Sequence, residues 1–209
     1  MLRYLLLILL ITTSFRAAAQ WPAKDVVMAF RSGSDVPEMD LLFRFDNTYF
    51  YNSTFSGPDL AGKHFCILVT EVWNGVPKPT DTIFSTLKYE EKVGRLETGT
   101  FKMQVMARQI EKDVLKIWFN TDNFGSVRTY QTTASDQYQL EATGHLVDIK
   151  FNEKFPAYVY LLPTDKDGLS YCGITESGED VYNWGKEYNL PHYILFEMVF
   201  VEPPIVKAH

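Results

Sequence analysis

Asp165, Asp167 and Glu176 stand at positions one, three and twelve of a single stretch, the spacing at which calcium loops present carboxylate oxygens to a hard cation. Ser170 holds the sixth position, where such a loop needs glycine for its sharp turn, and Gly168 comes two residues early. The run therefore reads as a looser calcium site between strands or as a solvated acidic loop. Calcium is the one cofactor the sequence suggests, and the chain is otherwise read as needing none.

Around these acids stand Tyr171, Tyr182, Trp184, Tyr188 and His192. Aromatic rings stack on the flat C–H faces of sugars while carboxylates and amides take the hydroxyls, so the stretch reads as a candidate ligand-binding surface for a glycan. The competing reading makes the same rings core residues at one end of the fold. Trp184 is the leading functional candidate because its neighbours Asn183, Gly185 and Lys186 are polar or small.

Catalytic signatures are missing. His64, His145, His192 and His209 make no His-Glu-x-x-His pair and no zinc spacing with the cysteines. There is no Gly-x-Ser-x-Gly elbow and no phosphate-cradling glycine loop. A glycosidase needs two carboxylates across a groove, and Glu71 and Glu197 draw attention because each interrupts an apolar strand. Three readings follow. The first is a non-enzymatic binding protein whose ligand is a glycan or a cell-envelope protein, held at the loop-rich end over 165–193. The second is a small secreted polysaccharide hydrolase using a carboxylate pair. The third is a subunit of an envelope assembly that binds through a strand edge or an exposed apolar patch.

Export is read from the first residues. Arg3 supplies a positive start, residues 4–11 form an unbroken apolar run, and Ala17-Ala18-Ala19 offers small residues for cleavage before Gln20. The run falls short of the roughly 20 residues that cross a bilayer, so the expectation is a removed signal peptide over 1–19 and no membrane span after it. A single β-rich domain over 20–209 then lies in the periplasm or outside the cell, with a bacterial host favoured. Losing Arg3 and Arg16 takes the formal charge from -6 to -8, which disfavours nucleic acid as a partner. In an oxidising compartment Cys66 and Cys172 either close a disulfide or stay as two buried thiols. Asn52-Ser53-Thr54 matches a glycosylation sequon, which has meaning in a eukaryotic host alone.

The elements that must position these residues are strands. Apolar residues alternate with polar ones through 100–108 and 115–119, which predicts two strands turning at Glu111-Lys112-Asp113. Residues 65–73 and 193–201 are apolar on both faces, the mark of strands covered on two sides. Further strands are predicted over 83–89, 126–132, 137–142, 146–151 and 157–162, and a hairpin over 41–51 turning at Asp46-Asn47. One short helix is expected near 179–188. Many short strands at such intervals predict an all-β fold, a two-sheet antiparallel sandwich of jelly-roll type, with a lipocalin-like closed barrel as the alternative.

Overall fold

The structure, a computed structural model, describes residues 26–89, 94–166, 169–171 and 180–202, with the backbone alone for 164–166 and 169–171. Its strands are β1 (Val27–Ser32), β2 (Tyr49–Ser56), β3 (His64–Trp73), β4 (Val76–Pro77), β5 (Asp81–Ser85), β6 (Thr100–Glu111), β7 (Val114–Asn120), β8 (Gly125–Gln131), β9 (Gln139–Ala142), β10 (Phe155–Leu161), β11 (Thr164–Lys166), β12 (Leu169–Tyr171) and β13 (His192–Val201). The predicted two-sheet antiparallel sandwich forms, and among the described residues no sheet closes into a barrel. One sheet runs β1-β2-β6-β7-β8. The other runs β4-β3-β13-β10-β9, with β5 also beside β3, and β11 and β12 make a separate small hairpin.

Alternation along each strand sends one set of side chains between the sheets. Phe101 meets Phe65 across the gap at 4.5 Å between ring centroids, Phe55 meets Phe200 at 5.5 Å, and Phe119 meets Phe196 at 5.4 Å. Offset and edge-on rings at these separations add to the apolar burial itself. Polar pins cross the same gap. Tyr51 donates to the Leu140 carbonyl at 2.8 Å, Tyr49 to the Tyr138 carbonyl at 2.9 Å, and Tyr158 to Ser53 Oγ. Buried hydroxyls need such partners, and these fix how the two sheets are aligned.

The β6–β7 hairpin turns at Lys112-Asp113, as the alternation predicts. Three segments differ from expectation, the shortest being Thr86–Lys88, a 3-10 turn that ends β5 at Ser85 where the expected strand runs on to 89. Residues 37–45 form a helix, α1 (Pro37–Phe45), whose second half, 41–45, is predicted as the first strand of a hairpin. Pro37 at the first helical position, Glu38 and Asp40 in the first turn and an Arg44–Asp40 pair at 2.9 Å all favour the helix. Asn47 then ends the turn at φ 49°. Residues 146–151 alternate correctly, with Ile149 buried, yet among the described residues their one β contact is the isolated bridge Val26↔Ile149, just before β1. Leu146 instead closes a 3-10 turn over Gly144–Leu146.

The short helix expected near 179–188 is present as α2 (Trp184–Glu187), so the described residues hold one more helix than expected. Gly185 is poor helix material, and its reason is spatial. A methyl there would lie 2.6 Å from Gly75 Cα and 2.9 Å from the Gly75 nitrogen, in a turn where Gly75 has φ +73°. The two backbones touch, which ties α2 to the β3–β4 hairpin. Gly185→Ala should therefore lower stability by about 1–3 kcal/mol through forced backbone displacement. Urea unfolding tests this, and an unchanged midpoint would show that the contact is not held in solution.

Candidate functional site

The ring-rich stretch folds back as a cap. The central strands β3, β13 and β10 face outward with Val72, Leu195, Tyr193, Val159 and Leu161, all buried, and Trp184 and Leu190 cover them. Trp184 is 1% exposed, so this ring, the leading surface candidate in the sequence, is an interior one. Tyr188 and Tyr182 pack half-buried against the same cluster. His192 is fully buried at the start of β13, its ring 4.0 Å from that of Trp73 and its Nδ1 2.8 Å from the Tyr138 hydroxyl. The backbone of Asp165 and Tyr171 lies in the β11–β12 hairpin. Asp167, Cys172 and Glu176 lie outside the described residues. Cys66 is a free, buried thiol, its Sγ 3.1 Å from Ser85 Oγ. Among the described residues no three His, Cys, Asp or Glu side chains gather as a metal site.

Glu197 sits under the cap, 1% exposed. Thr70 Oγ1 donates to its Oε2 at 2.9 Å and is itself 2.8 Å from Thr80 Oγ1. Lys154 Nζ lies 3.1 Å from its Oε1, and the Tyr182 hydroxyl donates to the same oxygen. Burial, and then the neighbouring Glu197, push the Tyr182 hydroxyl far above its ordinary range, so it stays a donor. Desolvating a carboxylate costs several kcal/mol and is offset only by such a set of donors. Glu197 therefore fastens the cap to the sheet.

Glu71 is on the other face. It pairs in register with Ile194, an interior residue, whereas Glu197 pairs with Leu68 on the side of Thr70. Its Oε2 accepts from Trp73 Nε1 at 3.0 Å and from Lys78 at 3.1 Å. The two carboxylates singled out by sequence thus occupy opposite sides of one sheet and do not form a pair across a groove.

The open surface is elsewhere, on the outer side of the five-stranded sheet. There Phe50, Met106, Trp118 and Val127 stand in register across four strands as an apolar row. Helix α1 lies over one end of it, with Phe43 5.1 Å from Phe50 between ring centroids. No residue of α1 is buried; Phe45 is 89% and Leu41 67% exposed. Helix and sheet enclose a trough of about 350 Å³ lined by Leu42, Phe43, Met106 and Trp118, with Arg108 and Lys116 at its rim. Arg108 is paired with Asp46, while Lys116 has no ion pair among the described residues. The next register row is polar: Asn52, Gln104 and Asn120. Sequence parity held the signal, because Trp118 alternates with Leu115, Ile117 and Phe119 and so faces away from them. Trp118 is 37% exposed.

Two measurements check the capped side. Tyr182→Phe removes a hydrogen bond to a charged group and should cost about 1.5–3 kcal/mol; an unmoved denaturation midpoint would mean that Glu197 does not anchor the cap. Burial, with Lys78 adding to it and Glu71 opposing, lowers the His192 pKa from 6.5 to about 4. The unfolded chain takes up that proton first, so stability falls as pH drops from about 6.5 to 4, by up to about 3 kcal/mol, and His192 contributes no pH dependence above that window. His192→Gln should flatten this part of the stability curve relative to the parent. Parallel curves for the two proteins would contradict the assignment.

No family model, curated protein or solved structure matches this chain.

Proposed function

We propose that this chain is an exported, non-enzymatic binding protein that serves as a subunit of a cell-envelope assembly. It seats an apolar segment of a protein partner on α1 and the trough beneath it. The observation that carries this reading is a nine-residue helix that buries none of its residues. A surface helix of a globular protein ordinarily turns an apolar stripe inward. Here Leu41, Leu42 and Phe45 stay exposed beside an open apolar trough, and contiguous patches of this kind mark interaction surfaces.

The charge at the rim supports the nature of the partner. The chain is acidic overall, yet the cation of Lys116 stands without an ion-pair partner among the described residues at the edge of the trough. The segment that fits is apolar, with an acidic residue beside its anchor side chain. The apolar leader over residues 1–19 supports export.

A displayed random-peptide library selected on the exported form of the protein tests the reading. The enriched peptides should combine apolar anchors with an acid, and Leu42→Asp or Phe45→Asp should weaken them at least tenfold. Both positions are exposed, so unfolding free energy should stay within about 0.5 kcal/mol. Failure to enrich peptides, or equal binding to both variants, would count against the proposal. So would sedimentation showing a dimer that Phe45→Asp dissolves, since the face would then belong to a second copy.

A further inference from the structure

We infer that the polar half of this same sheet face is a carbohydrate subsite, taking a neutral β-linked oligosaccharide along Asn52, Gln104 and Asn120 beside the ring of Trp118. This goes beyond the protein-partner reading and does not depend on it. The three amides come from three adjacent strands and face one another in register, Asn52↔Gln104↔Asn120. They relay hydrogen bonds: Asn120 Nδ2 donates to Gln104 Oε1 at 3.0 Å, and Gln104 Nε2 donates to Asn52 Oδ1 at 3.2 Å. An amide has two N–H donors and two lone pairs, so this relay holds each group in place and leaves capacity on each for hydroxyls. Adjacent strands lie about 4.8 Å apart, close to the length of one pyranose unit, so successive amides meet successive sugars.

The row lies in a depression of about 150 Å³, which continues into a second of about 180 Å³ through the shared residues Lys102, Thr121 and Asp122. Two adjoining depressions offer room for more than one sugar unit. Lys102 and Asp122 bring opposite charges, which suits a neutral chain. Trp118 stands two residues from Asn120 on the same face of β7. Gly125 leaves room for the indole, since a methyl there would lie 3.2 Å from Trp118 Nε1. Trp118 lines the apolar trough and Asn120 the neighbouring depression, so an aromatic ring and an amide border the subsite from one strand, as sugar recognition requires. Asn52 sits within paired β2, not on the surface loop where a sequon is ordinarily modified. It is placed to bind a sugar rather than to carry one.

Titration calorimetry of the exported protein with cellotetraose, chitotetraose and laminaritetraose tests the inference. At least one should bind saturably at millimolar concentration or below. Gln104→Ala and Asn120→Ala should each raise its Kd about tenfold, equivalent to about 1.4 kcal/mol, with the thermal midpoint unchanged. Phe45→Asp should leave sugar affinity as it is, which keeps this site separable from the protein-partner face. Absence of saturable heat with all of these sugars would overturn the inference, and so would a Kd that neither amide variant alters.

Discussion

A sheet whose central strands are apolar on both sides must be covered twice, and the rest of this molecule follows from that requirement. Strands β3, β13 and β10 send Phe65, Ile67, Phe196 and Tyr158 toward the opposing sheet, and Val72, Leu195, Val159 and Leu161 the other way. Each such side chain contributes about 1.5–3 kcal/mol when fully buried. The first set is covered by the five-stranded sheet. The second recruits the stretch around α2, which explains why a segment rich in tyrosine and tryptophan folds inward instead of standing in solvent. The Glu197 cluster and the contact between Gly75 and Gly185 then hold that cover at two separate points.

The five-stranded sheet is under no such demand. The residues these strands bury face the other sheet, while their outer side carries only one apolar row, partly covered by α1. Its outer side is consequently free to carry exposed chemistry: an apolar row and a helix at one end, a relay of amides at the other. The amide relay of this side is exposed, whereas on the capped side the carboxylate of Glu197 is buried and engaged by Lys154 and Tyr182. This asymmetry is why recognition is assigned to the singly covered sheet.

Much of the fold was legible in the sequence. Parity alone predicted the β6–β7 hairpin and its turn, and the doubly apolar runs at 65–73 and 193–201 announced central strands. What covers their second face was not legible, because that depends on residues distant in sequence that show no periodicity of their own. Trp184 illustrates the difficulty: its polar neighbours suggest exposure, yet a four-residue helix turns the indole alone into the sheet. Helix α1 was missed for the opposite reason. Leu41 to Phe45 is a short apolar run, and the signals that make it helical, Pro37 and the acids behind it, precede the run. For the candidate site, the alternation of Trp118 with interior residues was readable as an outward-facing ring, but its alignment with Gln104 and Asn120 required the register between strands.

The relay of amides rests on a layer that takes all its cohesion from beneath. Substitutions along it leave the interior untouched, so this face can be rewritten one residue at a time while the melting behaviour of the molecule holds steady. The capped sheet has no comparable latitude, since a change on either side meets packed neighbours. Inheritance can thus vary what this face presents far faster than how the molecule folds.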